Sequence, residues 1–152
     1  MYSHMKHPRP SPVSAARTAA VAARPLHFAS YPTHDEIAAG YGVRLVQEVA
    51  GRLGIPTADL ATRIGVARST FHRKLKGRAR LTEHESDALA RHSSLLSQAL
   101  AVFDGDETAA RKWLGSAQIG LGDAVPLDLA QTTFGFREVE KLLTRIDHGV
   151  YA

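Results

Sequence analysis

The segment Leu60-Ala-Thr-Arg-Ile-Gly-Val-Ala-Arg-Ser-Thr-Phe-His-Arg-Lys-Leu75 constrains the fold more than any other part of the chain. Leu60, Ala61 and Ile64 recur at helical spacing and stop at Gly65, where a left-handed backbone costs glycine little. A second short helix follows, with Val66, Phe71 and Leu75 as its apolar anchors. Helix, glycine turn and basic helix make the outline of a helix-turn-helix, whose second helix lies in the major groove of DNA. That helix is expected over Arg68–Lys76, roughly 13 Å long and so about the width of the groove it would enter.

With the anchors turned inward, Arg68, Ser69, His72, Arg73 and Lys76 are left over the outer surface. Arginine can fork onto guanine O6 and N7, and serine can bond either kind of base-edge group, so Arg68, Ser69 and Arg73 are candidates for base edges. Thr70, Lys74, Lys76, Arg78 and Arg80 are candidates for phosphates. His72 fits either a half-exposed packing role or a base contact.

The charge distribution points the same way. Residues 52–80 hold Arg52, Arg63, Arg68, Arg73, Lys74, Lys76, Arg78 and Arg80 against Asp59 alone, whereas residues 81–110 hold six acids against Arg91. A basic block centred on a helix-turn-helix is the footprint of a polyanion partner, here double-stranded DNA. The chain has no cysteine, which excludes disulfides and thiolate metal sites. No apolar run reaches the about 18 residues that a membrane span needs. The expected location is a bacterial cytoplasm, on the nucleoid when bound to its operator. Alanine and leucine supply most of the 44% hydrophobic residues, and β-branched runs are scarce, so the expected class is all-α.

Along the chain, residues 1–33 read as a disordered basic arm. Prolines 8, 10, 12 and 25 interrupt any helix, and acids are absent from residues 1–30. Order is expected from the capping box Thr33-His-Asp-Glu36. A helix then runs towards Leu53, with Val43, Val46, Val49, Ala50 and Leu53 on one face and a start that Gly40 and Gly42 weaken and can split. Thr57 is expected to cap the helix Ala58–Ile64. A second capping box, Thr82-Glu-His-Glu85, opens a long helix to about Phe103 whose apolar stripe is broken only by His92. A short helix over 106–114 follows, then an open loop with Gly115, Gly120 and Gly122, a helix started by Pro126, and a last helix capped by Thr132 or Thr133. Val139, Leu142, Leu143 and Ile146 form its inward face, and Gly149 stops it. The modules expected are 34–103 for DNA and 104–152 for a second function, the latter packing on the long helix.

No catalytic constellation emerges, and no enzyme activity or cofactor is expected. His84 and His92 lie two helical turns apart, too far for one metal ion, and no Gly-x-Ser-x-Gly elbow surrounds Ser93, Ser94 or Ser97. Trp113 is either core or interface, and its helical spacing from Ala109 and Ala110 favours core. The terminal Gly149-Val-Tyr-Ala152 either tucks its aromatic back or offers it to a partner.

Three stretches together, Leu100–Leu114 with its Arg111-Lys-Trp-Leu, Leu121-Gly-Asp-Ala-Val-Pro-Leu-Asp-Leu129, and Val139 onward to Arg145-Ile-Asp-His-Gly-Val-Tyr-Ala152, resemble the toxin-binding domain of Xre/MbcA/ParS-type antitoxins. With an Xre-like helix-turn-helix ahead of it, the resemblance covers roughly residues 40–152. It departs at Ala67, where a serine often caps the recognition helix, a loss worth about 1 kcal/mol. The resemblance implies a type II antitoxin with two partners, its own operator DNA, which it represses, and a RES-domain toxin that consumes NAD. It also implies that the chain's end neutralises the toxin at its active-site entrance, a role that falls on Arg145, His148, Gly149, Val150, Tyr151 and Ala152. A homodimer within a larger toxin–antitoxin complex is expected, since paired half-sites suit a two-fold protein. The alternative is a stand-alone regulator whose Gly115–Gly122 loop lines a small-molecule pocket.

Overall fold

The structure is a computed structural model and describes residues 33–150. Eight α-helices and one 3-10 turn make up the described residues: α1 His34–Ala39, α2 Arg44–Leu53, α3 Thr57–Arg63, α4 Arg68–Lys76, α5 Glu83–Val102, α6 Glu107–Leu114, the 3-10 turn Ile119–Leu121, α7 Pro126–Leu129 and α8 Thr133–Asp147. The all-α expectation holds. The arm over residues 1–32 and the terminal Tyr151 and Ala152 lie outside the described residues.

Local chemistry sets most helix ends. Thr33 and Thr82 both form complete capping boxes with Glu36 and Glu85, each satisfying two of the otherwise orphaned N–H groups of a first turn. Asp106 and Thr132 cap α6 and α8 through their side chains. The first expected helix is split in the glycine region as the sequence allowed, breaking at Gly40–Val43, because Gly40 takes a φ of +76° and a Cβ there would sit 2.2 Å from the Leu81 carbonyl oxygen. One detail differs from the sequence reading. Pro56, not Thr57, stands at the cap of α3, which starts one residue early without a side-chain cap.

Gly54, Gly65 and Gly149 end α2, α3 and α8 with φ of +69°, +92° and +71°. In each case the next N–H reaches back five residues: Ile55 to Ala50, Val66 to Ala61 and Val150 to Arg145. This is the Schellman closure, and it fixes the direction in which the chain leaves a helix. At the end of α4 the same bond, Ala79 N–H to the Lys74 carbonyl, closes around Arg78 instead of a glycine. Arg78 therefore has a φ of +49°.

One continuous apolar core runs from Val43 on α2 to Leu143 on α8. The expected inward faces of α2, α3 and α5 are all in it, and Trp113 packs half-buried against Phe103, their rings 6.3 Å apart. α5 is the shared spine: α1 and α2 lie on its first half, α6 and α8 along the rest. Two arginines tie the halves together by capping helix ends across the molecule. Arg91, 5% exposed, donates from Nε to the Ala130 carbonyl and from Nη2 to that of Gln131 at the end of α7, both at 3.1 Å, and pairs with Asp87. Arg111 of α6 donates to the carbonyls of Arg52 (2.7 Å) and Gly51 (3.3 Å) at the end of α2. Arg63 of α3 also pairs with Asp128 of α7.

Candidate functional site

The helix-turn-helix is α3, the Gly65 turn and α4. Leu60, Ala61, Ile64, Val66 and Phe71 are buried, and Leu75 packs half-buried against them. This seats α4 with its polar side outward: Arg68, Ser69, His72, Arg73 and Lys76 are exposed and Thr70 is half-exposed. No side chain caps α4 at Ala67. Among the described residues no acid pairs with Arg68, Arg73, Lys76 or Arg78, so these cations face solvent without neutralisation.

Lys74 is different. Its ammonium is 2.6 Å from Glu85 Oε2, with both side chains largely buried at 16% and 12% exposure. Glu85 also closes the α5 capping box by accepting from the Thr82 N–H at 2.8 Å. Burial alone would raise the Glu85 carboxyl, but the hydrogen bonds from Lys74 and Thr82 and the Lys74 charge outweigh it and hold the group below its ordinary range. Lys74 thus locks the reading helix to α5. Arg80 donates from Nη1 to the Gly40 carbonyl at 2.7 Å, and its backbone bridges Gly42.

That bridge exposes a residue the sequence reading missed. It brings the start of α2 beside the loop after α4, so Arg44 and Arg78 line one small hollow of about 230 Å³ together with Gly42, Val43 and Ala79. The two arginines come from positions 34 apart in the chain, and no local pattern signals that they line one hollow.

At the opposite end of the molecule, α8 closes in its Schellman turn. Arg145, His148, Gly149 and Val150 are exposed there, Val150 to 53%. Lys74 of the helix-turn-helix meets the first turn of α5 at Glu85, whereas Gln98 of α5 bonds Glu140 midway along α8. With Arg91 bonded just ahead of α8 and Gln98 midway along it, α8 runs the same way as α5, so its exposed end lies roughly 30 Å along the axis from the Lys74–Glu85 contact. The Gly115–Gly122 segment does not form an open loop. Gln118 closes it by donating to the carbonyls of Trp113 and Ser116 (2.8 and 3.2 Å), and a Cβ on Gly120 would be 2.8 Å from Leu142 Cδ1.

Between the two ends sits His92, fully buried, with Nδ1 2.8 Å from the Ala88 carbonyl oxygen and Nε2 3.2 Å from that of Leu127. Burial lowers its pKa, the two carbonyls oppose that, and the charges of Arg63 and Arg91 reinforce it. With this role His92 is a structural tie between α5 and α7. None of the described helices is long and apolar enough to cross a membrane.

These features define a helix-turn-helix protein carrying a second helical module on a shared spine. The comparisons with known proteins agree on both parts. Residues 32–91 match the antitoxin Xre-like helix-turn-helix domain, and residues 98–149 match the antitoxin Xre/MbcA/ParS C-terminal toxin-binding domain. A protein named Antitoxin Xre from Yersinia enterocolitica is 30% identical over 118 residues, covering 78% of this chain and 80% of its own. A second Antitoxin Xre, from Photorhabdus laumondii, is 27% identical over 111 residues, covering 73% and 75%. The chain belongs to the Xre antitoxin family, with a helix-turn-helix and a toxin-binding domain, and is an antitoxin of the type II class.

Proposed function

We propose that the chain neutralises a RES-domain, NAD-consuming toxin with its C-terminal segment and represses its own operon through α4. The observation that carries this reading is the placement of the two exposed surfaces at opposite ends of α5. One body can then hold toxin and DNA at once. Arg145, His148, Gly149 and Val150, with Tyr151 and Ala152 beyond, are assigned to the toxin. The Gly149 turn ends α8 just ahead of this segment, and an arginine and a tyrosine suit a pocket that receives a charged, aromatic-based cofactor. On the DNA side, Arg68, Ser69 and Arg73 are assigned to base edges, His72 to the edge of that surface, and Thr70, Lys76 and Arg78 to phosphates, with Arg44 added to Arg78. Lys74 is assigned to the Glu85 lock and serves DNA only by orienting α4.

A homodimer would present two reading heads to paired half-sites, and a toxin that holds antitoxins together would strengthen repression by avidity without a change of shape. The sensor alternative loses its motive, because the glycine segment that was to line a pocket is closed on itself by Gln118 and Leu142. The test is deletion of residues 148–152. Cells should lose protection from the toxin while the protein keeps its operator affinity in a gel-shift titration, and retained protection refutes the assignment of the C-terminal segment.

A further inference from the structure

Ile119 is 90% exposed, the most exposed large hydrophobic among the described residues. It stands at the tip of a turn built to be stiff. Gln118 N–H donates to the Ala124 carbonyl and Asp123 N–H to that of Gln118, both at 3.0 Å. The Gln118 side chain ties the base to Trp113 and Ser116. Gly122 and Asp123 hold φ of +65° and +63°, and Gly120 lies flush on Leu142. An aliphatic side chain held out by so many backbone bonds has little ordering entropy left to lose on binding.

We propose that this turn is a second contact of the antitoxin with its toxin, Ile119 entering an apolar depression beside the site that takes the chain's end. The inference rests on the toxin-binding reading above and extends it to a surface remote in sequence. Position argues for it. The turn sits on Leu142, Ile146 follows one helical turn later on the same face, and Val150 folds back onto the Arg145 carbonyl at 2.8 Å. Ile119, Ile146 and Val150 thus form a discontinuous apolar ridge leading over about 10 Å to the terminal segment. The turn also falls inside residues 98–149, which match the toxin-binding domain. A second copy of this chain is the weaker occupant, since a stable dimer buries about 800 Å² per partner and the ridge is far narrower. Phe134, also exposed at 76%, stands at the other end of α8 and is not part of it.

The test uses the full chain and the toxin encoded beside its gene, made inactive by substitution. Ile119→Asp should weaken toxin binding in calorimetry by roughly 10- to 100-fold, the penalty for one lost buried aliphatic side chain. Operator affinity and helical circular dichroism should stay unchanged, excess antitoxin should still inhibit fully, and Ile119→Leu should bind like the parent. Unchanged toxin affinity in Ile119→Asp overturns the inference, and so does a halved solution mass with toxin affinity intact, which would assign the turn to self-association. If deletion of 148–152 leaves neutralisation intact while Ile119→Asp weakens binding, the terminal-segment reading fails and the turn stands. The reverse pattern refutes the turn alone.

Discussion

Arg78, like Asp104 at the end of α5, occupies a Schellman position that a glycine does not hold, and replacing it should separate stability from DNA affinity. An L-residue in left-handed backbone carries about 1–2 kcal/mol of steric strain. Glycine removes that strain but gives back about 0.5–1 kcal/mol through its greater freedom in the unfolded chain. Arg78→Gly should therefore stabilise the fold by about 0.5–1 kcal/mol, a rise in Tm of about 2 °C for a chain of this size. The closing bond, Ala79 N–H to the Lys74 carbonyl at 2.9 Å, is backbone only and survives the change. The guanidinium beside Arg44 does not survive it. If the pair holds a phosphate, the slope of log K against log salt should become shallower by about 0.9. Arg78→Ala removes the same charge but keeps a Cβ, so it should weaken operator binding without the gain in Tm. Thermal unfolding and a salt series of gel-shift titrations read both quantities. A Tm that falls in Arg78→Gly refutes the strain, and an unchanged salt slope refutes the phosphate contact.

Four further expectations follow from the packing. His92 has its pKa lowered by burial from the ordinary 6.5, so on acidification the unfolded chain takes up the proton first. Its contribution is therefore complete above pH about 6.5 and drains away as the pH falls towards the lower folded value. Urea titrations from pH 7.5 to 5 should show a shallower acid loss in His92→Gln than in the parent, and parallel curves would contradict this. Gly51 lies within α2 with open space around it, so Gly51→Ala should add about 1 kcal/mol. Gly135→Ala should fail to fold or lose more than about 3 kcal/mol, because its Cβ would lie 2.1 Å from the Leu129 carbonyl oxygen. Arg91→Ala, which strands the Ala130 and Gln131 carbonyls, should cost about 2–4 kcal/mol. Arg111→Ala, at a half-exposed clamp, should cost about 1 kcal/mol, and equal losses in the two would refute the burial argument.

The two arginine clamps also bear on how toxin and DNA could influence one another. The buried core passes from the helix-turn-helix into the toxin-binding domain without a break, and Arg63, Arg91 and His92 all hold α7. A load on the C-terminal module is thus carried into α3 and α5 through packed groups rather than through a flexible linker.

What the sequence determined by itself was everything that depends on spacing and on neighbours within about four residues. The capping boxes at Thr33 and Thr82, the inward faces of α2 and α4, that of α8 as far as Leu143, the Gly65 turn and the Gly149 stop were legible, whereas Ile146, expected inside, is half-exposed; helical periodicity and cap chemistry are local. The outward cations of α4 were legible for the same reason, since fixing Val66 and Phe71 inside fixes Arg68 and Arg73 outside. Tertiary structure decided the rest. Lys74 looked like its basic neighbours until α5 brought Glu85 to it, and Arg44 looked ordinary until the Gly42–Arg80 bridge placed it beside Arg78. Gly40 is needed for the Leu81 carbonyl across from it, and Ile119 became conspicuous only when most other aliphatic side chains had found a place in the core. Each of these depends on two segments meeting from dozens of residues apart. No local pattern records such a meeting, because it is chosen by the packing of the whole core.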